Sequence, residues 1–325
     1  VWTFAIGALR LEQRLWLEHG RDRVHCAWRR LPGGPRRPLR LRVALLVGGR
    51  DHHQVTGPRV PAPAAVIEDG RLLVSWPSLP ALVVCAAGGT LALDPAWIEA
   101  FDLPLERERG LMDRDRHWRA GHAELTLEPD GAWCGIAAGV GALADDDAAA
   151  AGLATASSTP RQRDAGLLAR ACAPGAPLAG APPWIARLVL AADSFLFQRP
   201  LPDAGDGLSV IAGYPWFGDW GRDTMIALPG LCLATGRPDA ARHILRTFAR
   251  FVRDGLLPNL FPGSGETAAY HSVDAPLWYI EAWRAWLAAG GDDETLAEAL
   301  PVLRQIIAAV SYTHLRAHET IHAIA

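Results

Sequence analysis

The hydrophobic pattern changes its period near residue 180, and this change limits the folds open to the chain. Upstream, apolar residues recur at every second position, as in Leu39, Leu41, Val43 and Leu45, a spacing typical of strands that bury one face. Downstream they recur every three or four positions between Gly and Pro, as helices require. A chain of 325 residues is long enough for two domains. We therefore predict a multidomain protein with strands first and helices second.

Composition indicates where the domains meet. Several short strands without helices between them predict an antiparallel β-sandwich over residues 1–145. Residues 146–182 are rich in Ala, Ser, Pro and Gly, which is typical of a linker. The helical domain is predicted over residues 183–310. Its helices are expected at residues 184–197, 224–234, 238–253, 275–289 and 294–310.

Charge and cysteine content narrow the classes of partner. The formal net charge is -3 and the pI about 6.4, so no broad basic field is available for non-specific nucleic-acid binding. No apolar run reaches the roughly 20 residues that a membrane-spanning helix needs. The five cysteines are an odd number and show no CxxC spacing. We predict neither nucleic-acid nor membrane partners, and a reducing, cytoplasmic location.

Residues 213–226 combine aromatic and charged side chains directly before a predicted helix. Aromatic faces cover the apolar C–H side of a sugar ring, and charged groups hydrogen-bond to its hydroxyls. A helix cap alone would explain Asp223, but not the aromatic and Arg neighbours beside it. We predict substrate contacts at Trp216, Asp219, Trp220, Arg222 and Asp223.

A second cluster of aromatic and polar residues follows at residues 256–283. Asn259 is the only Asn of the chain. Asp274 begins a predicted helix and Trp278 follows one turn later, so carboxylate and ring can face the same ligand. A turn at Asn259 and a helix cap at Asp274 remain open alternatives. We predict substrate contacts at Asn259, Tyr270, Asp274 and Trp278.

Both clusters resemble the bacterial and archaeal type of glycogen-debranching amylo-α-1,6-glucosidase. The resemblance rests on residues 214–224 (YPWFGDWGRDT), 255–259 (GLLPN) and 273–278, and on residues 11–20 of the β-rich part. It implies an N-terminal antiparallel β-sandwich followed by the first part of an all-α (α/α)6 barrel. It also implies a glycoside hydrolase of glycogen breakdown that releases α-1,6-linked glucose with inversion.

The resemblance further implies roles for individual residues. Arg222 and Asp223 would hold the hydroxyls of the terminal glucose, and Trp216 and Trp220 would form walls of the same subsite. The expected partner is glycogen or an α-glucan limit dextrin, without a cofactor or a metal ion. The chain departs from the family's usual residues at Ser272, where Thr is common.

Hydrolysis with inversion needs an acid and a base roughly 6.5 to 9.5 Å apart. By resemblance, both are expected in later helices of the barrel, so the catalytic pair is unassigned and this chain is expected to be inactive alone. Residues 311–325 resemble translated sequencing-adaptor sequence and are expected to be a non-native tail.

Two other functions remain open. A barrel glucosidase of the glucoamylase or trehalase type would use the same Arg–Asp grip, because that grip suits any terminal glucose. A non-catalytic glucan-binding module would need only the β-sandwich and the aromatic loop.

Overall fold

The computed structural model describes two compact units. Contacts divide the chain into Val1–Arg161 and Gln162–Ala325. The first is antiparallel and β-rich and the second is mainly helical, which confirms the predicted order. The described residues are 1–50, 54–141, 159–201, 205–214, 217–261 and 268–311.

The described residues of the first unit form two antiparallel sheets and one short helix that joins two of their strands. Its strands are β1 (Trp2–Ile6), β2 (Leu9–Leu17), β3 (Arg23–Arg30), β4 (Leu39–Val47), β5 (Ala64–Glu68), β6 (Arg71–Trp76), β7 (Leu79–Ala87), β8 (Gly89–Asp102), β9 (Arg114–Leu127) and β10 (Cys134–Val140). Helix α1 (Pro104–Glu108) joins β8 to β9. The larger sheet has the order β1-β2-β3-β10-β7-β6-β5, and the smaller has the order β4-β9-β8.

The inner faces of the two sheets share two apolar cores. Leu11 and Trp28 of the larger sheet pack with Leu125 of the smaller sheet. Leu72 of the larger sheet packs with Val47 of the smaller sheet in the second core. Each such side chain contributes about 1.5 to 3 kcal/mol when it is fully buried. Burial on facing sides of two sheets fits the predicted β-sandwich.

The second unit has an apolar core formed mainly by its helices. Its elements are α2 (Thr159–Cys172), α3 (Ile185–Ser194), β11 (Leu196–Pro200), β12 (Asp206–Gly213), β13 (Phe217–Asp219), α4 (Gly221–Leu228), a π-helical turn (Pro229–Leu233), α5 (Pro238–Ala249), α6 (Ala275–Ala288) and α7 (Asp293–Val310). The core centres on Phe248, Tyr279 and Trp283. Helix α7 begins where the Asp292 side chain accepts a hydrogen bond from the Thr295 backbone N–H at 2.7 Å, as an N-cap does.

The expectation of an all-α second domain needs a correction. Strands β11, β12 and β13 form a three-stranded antiparallel sheet. Helix α3 ends at Ser194, and Phe197, predicted to be helical, pairs with Ser209 across β11 and β12. Strand pairing depends on a partner distant in sequence, which the local period of a short apolar run does not reveal. The (α/α)6 barrel stays a prediction.

Helix α2 lies inside the segment predicted as a linker, residues 146–182. Its Leu167 and Ala171 are buried against Val189 of α3. Gly236 adopts a φ of 70°, and a Cβ there would lie 2.8 Å from the Arg170 carbonyl oxygen, so glycine permits this close approach of α2. Alanine-rich sequence suits both a linker and a helix, which is why composition alone did not separate them. The predicted domain limits themselves stay predictions.

Two observations bear on where the protein works. Within the ranges given above, no helix is both long and apolar enough to cross a bilayer. Burial raises the pKa of the Cys134 and Cys232 thiols to about 11, so both are protonated and poorly reactive near neutral pH. Cys172, in contrast, is exposed. The reducing, cytoplasmic location stays a prediction.

A buried ion pair connects three parts of the helical unit. The Arg237 guanidinium donates from Nη1 to Asp193 at 2.7 Å, from Nε to Thr235 Oγ1 at 3.0 Å and from Nη2 to the Leu231 carbonyl oxygen at 2.6 Å. Asp193 also pairs with Arg163 of α2. The network therefore joins α2 and α3 to the segment that follows the π-helical turn.

Removing the carboxylate from this network should destabilise the helical unit strongly. We expect Asp193→Ala to lower the free energy of unfolding by about 3 kcal/mol, because the buried Arg237 charge loses its partner. Urea denaturation of the full chain measures this change. The matched control is Asp239→Ala, whose exposed carboxylate pairs with Arg242 three residues later and should change stability by less than about 0.5 kcal/mol. Equal losses in the two variants would contradict the assigned role.

Candidate functional site

Arg222, Ser272 and Asp274 form a hydrogen-bonded triad where the N-termini of α4 and α6 meet. Arg222 Nη2 lies 2.9 Å from Asp274 Oδ1 and donates to Ser272 Oγ at 3.0 Å. The Ser272 hydroxyl donates to Asp274 Oδ1 at 2.6 Å. Ser272 is buried, whereas the Arg222 and Asp274 side chains are each 46% exposed. The triad thus presents an ordered cation and anion to solvent on a buried support.

The Asp274 carboxylate is held in its ionised form. The hydrogen bond from Ser272, and then the Arg222 charge, hold the pKa of Asp274 below its ordinary value although partial desolvation opposes them. The Trp278 side chain lowers it further. Asp274 therefore accepts hydrogen bonds at neutral pH and does not serve as a proton donor.

A close backbone contact fixes the start of α4, and with it the position of Arg222. A Cβ on Gly221 would lie 2.0 Å from the Pro258 carbonyl oxygen, so only glycine permits the approach. The Gly221 N–H donates to the Asn259 carbonyl oxygen at 3.0 Å, and Trp220 forms a β-bridge with Leu260. The first turn of α4 is thereby held against the segment that follows Gly255.

Asp219 faces the protein interior and not a ligand. Its carboxylate is 1% exposed and receives two hydrogen bonds from the Arg199 guanidinium, one of them from Nε at 2.5 Å. The Ser209 hydroxyl donates to it at 2.7 Å. These contacts hold β13 to β11 and β12, directly before α4. The geometry favours a structural role for Asp219 over the predicted substrate contact.

Asp223 is exposed and lies in the first turn of α4. The N-cap position belongs to Trp220, which makes no side-chain capping bond. Among the residues that the structure describes, none forms a hydrogen bond or an ion pair with the Asp223 side chain. The geometry therefore gives no support to the alternative that Asp223 is only a cap, and it leaves the carboxylate open to a ligand.

Several aromatic side chains accompany these charges. Trp278 lies one turn into α6 from Asp274 and is 39% exposed, and Trp220 is half-buried at the start of α4. Tyr214 and Phe217 are each more than half exposed. Sequence reasoning did not single out these last two residues, although both lie inside the aromatic motif. Trp216, also predicted to contact the substrate, lies outside the described residues.

Asn259 and Tyr270 make most of their contacts with the protein. The backbone of Asn259 pairs with Gly221 and Ala269, and its buried side-chain Oδ1 has no hydrogen-bond partner among the described residues. The Tyr270 hydroxyl donates to the Phe251 carbonyl oxygen at 2.7 Å, and burial raises the pKa of Tyr270. Neither Asn259 Oδ1 nor the Tyr270 hydroxyl forms a hydrogen bond with Arg222 or Asp274. Their substrate contacts stay predictions.

Ser272 is the one member of the triad that sequence reasoning did not select. It was noted only as a departure from the related family. A signal existed, because Ser two residues before a helix-starting Asp often bonds to nearby backbone or carboxylate groups. The signal is weak, since the same pattern is common in ordinary turns.

Comparison with known proteins places both units in one enzyme family. A family model described as "Amylo-alpha-1,6-glucosidase" matches residues 190–315, and one described as "Glycogen debranching enzyme N terminal" matches residues 1–133. The chain belongs to the glycogen-debranching enzyme family. A glycogen debranching enzyme of Saccharomyces cerevisiae is 34% identical over 95 residues, which are 28% of this chain and 6% of the yeast protein.

The candidate site lies inside one of the two matched ranges. The predicted contacts in both clusters and the whole Arg222–Ser272–Asp274 triad fall inside residues 190–315, the range matched by the amylo-α-1,6-glucosidase model. The two sheets of the first unit fall largely inside the range matched by the N-terminal model. The triad is therefore part of the region by which the debranching family itself is recognised.

The structural role of Asp219 can be tested against its exposed neighbour. We expect Asp219→Asn to lower the free energy of unfolding by about 3 kcal/mol, because Arg199 then loses a buried charge partner. Asp223→Asn is the matched control and should leave stability within about 0.5 kcal/mol, since its carboxylate is exposed. Thermal and urea denaturation measure both. Unchanged stability in Asp219→Asn would return this residue to the list of ligand contacts.

Proposed function

We propose that the protein is a glucan-debranching glycosidase and that its helical unit holds the terminal glucose of an α-1,6-linked branch. The observation that carries the proposal is the Arg222–Asp274 pair, ordered by Ser272 and accompanied by the exposed Asp223. The proposed ligand is glycogen or an α-glucan limit dextrin. Membership of the debranching family supports this ligand class.

The groups at the site match the chemistry of a sugar ring. Arg222 uses only Nη2 within the triad, and its Nε and Nη1 donate to none of the described residues. These donors can bind hydroxyl oxygens, and the carboxylates of Asp223 and Asp274 can accept from hydroxyl hydrogens. The exposed face of Trp278 suits the C–H side of the ring. A neutral, hydroxyl-rich ligand satisfies all of these groups together.

The contribution of the Arg222–Asp274 ion pair to fold stability is too small to explain why the two side chains are held in one geometry. An ion pair as exposed as Arg222–Asp274 contributes about 0 to 1 kcal/mol. A hydrogen bond between a charged group and a ligand contributes about 1.5 to 3 kcal/mol. Holding the Arg222 guanidinium and the Asp274 carboxylate in one geometry therefore has more effect on ligand binding than on folding.

The proposal assigns binding, not proton donation, to Asp274. A glycosidase acid must be protonated before cleavage, which requires a raised pKa, whereas the pKa of Asp274 is lowered. The activity that we propose for the protein includes release of glucose with inversion, as the family resemblance implies. The acid and base for that step are not assigned to residues of the triad.

A binding and hydrolysis assay tests the proposal. We expect the chain to bind isomaltose and a branched limit dextrin in calorimetric titrations without releasing glucose, because none of the residues of the site is assigned as the catalytic acid or base. Absence of binding to both ligands contradicts the proposal. Preference for trehalose or maltose would favour a trehalase- or glucoamylase-like enzyme. If the chain does release glucose and Asp274→Ala abolishes this release, a catalytic site is already complete. Proton NMR of the first product would then identify its anomer.

Two conservative exchanges separate ligand contact from helix capping. We expect Arg222→Lys and Asp223→Asn each to weaken isomaltose binding roughly tenfold to a hundredfold, because each removes a charge-assisted hydrogen bond or its geometry. Thermal stability should stay unchanged in Asp223→Asn, since this carboxylate is exposed and does not hold the N-cap position of α4. Asp239→Asn, on the exposed start of α5, is the control. Wild-type affinity in Asp223→Asn would remove this residue from the site.

A further inference from the structure

We propose that Ser272 is a positioning residue of the glucose site: its buried hydroxyl sets the geometry of the Arg222–Asp274 pair. This inference rests on the proposed function in naming the ligand. The geometric part concerns the protein alone. Ser272 itself is too deeply buried to touch the ligand.

The hydrogen-bonding capacity of the Ser272 hydroxyl is fully used. A hydroxyl has one hydrogen to donate and two lone pairs that accept. Its oxygen accepts from Arg222 Nη2 at 3.0 Å and from the Ala275 backbone N–H at 3.3 Å. Both of these groups are donors only. The single hydroxyl hydrogen is therefore directed to Asp274 Oδ1, 2.6 Å away.

The direction of the Ser272 hydrogen bond affects both Asp274 and Arg222. Asp274 receives a short hydrogen bond that favours its charged form. Arg222 is held by an oxygen acceptor as well as by the carboxylate, which restricts its guanidinium plane. The bond from Ala275 ties the whole arrangement to the first turn of α6, an element with its own buried core. A flexible surface pair is thereby converted into a fixed one.

A purely structural reading would treat Ser272 as part of the start of α6. Two of its three bonds, however, run to the exposed charged side chains and not to the backbone. Loss of a helix-start bond predicts lower stability only. Loss of a positioning residue also predicts a higher pKa for Asp274 and weaker binding at constant fold.

The test compares substitutions of Ser272 in the full chain. Carbon-13 NMR of Asp side-chain carboxyls measures the pKa of Asp274, with Asp274→Asn used to assign its signal. Isomaltose titrations at several pH values measure affinity. We expect Ser272→Ala to raise the pKa of Asp274 toward its ordinary range and to weaken binding roughly tenfold. The acid limb of binding should move to higher pH, because the carboxylate is protonated earlier as the pH falls.

Two further variants separate positioning from general destabilisation. Ser272→Thr keeps the hydroxyl and should preserve both the Asp274 pKa and the affinity. Thr235→Ala removes another buried hydroxyl that bonds to an arginine and should lower stability without changing either readout. If Ser272→Ala does not fold, Ser272→Cys serves in its place, since a thiol of similar size is a much weaker donor.

The outcomes keep the two proposals apart. An Asp274 pKa unchanged in Ser272→Ala overturns the positioning role, whether or not isomaltose binds. A raised pKa that is restored in Ser272→Thr supports it. If the wild-type chain binds neither isomaltose nor limit dextrin, the proposed function fails, while the pKa comparison still decides the role of Ser272.

Discussion

The contact between Gly221 and the Pro258 carbonyl oxygen is the constraint on which the site depends. With only 2.0 Å available to a Cβ, any side chain would push α4 away from the chain that leads into α6. Arg222 follows directly in sequence, so its distance from Asp274 depends on this approach. Asp219, two residues before Gly221, is buried against Arg199 and Ser209. The exposed charges are therefore presented by a segment that is fixed on both sides.

Sequence reasoning selected the two segments that form the candidate site, and which of their residues contact a ligand stays a prediction. Arg222 and Asp274, predicted from two separate clusters, lie 2.9 Å apart. Asp219 lies in the same motif, yet its side chain points inward on strand β13, because alternate strand residues face opposite sides. A motif of mixed strand and helix places adjacent residues in different environments. The folded structure is needed to see that Asp219 is buried against Arg199 while Asp223 is exposed.

The local sequence pattern also limits how much of the fold can be predicted. The period-two pattern predicted the strands of the first unit because each strand buries one face over several residues. The sheet around Phe197 was missed because its pairing with Ser209 is non-local. Helix α2 was missed because it lies in a segment rich in Ala, Ser, Pro and Gly, and its packing depends on the glycine approach at Gly236. Elements defined mainly by partners elsewhere in the chain are the ones that local pattern does not predict.

The charges of the candidate site fit the neutral glucan that we propose as its ligand. Arg222 and Asp274 cancel as a pair, so their effect beyond a Debye length of about 8 Å is small. At hydrogen-bond distance they remain strong and directional. Such a pair discriminates by the placement of hydroxyls and not by the charge of the ligand. The exposed carboxylate of Asp223, next to Arg222 in the sequence, adds a negative charge that would disfavour a phosphorylated sugar at the same position. This fits our proposal that the site takes an unmodified glucose at a chain end.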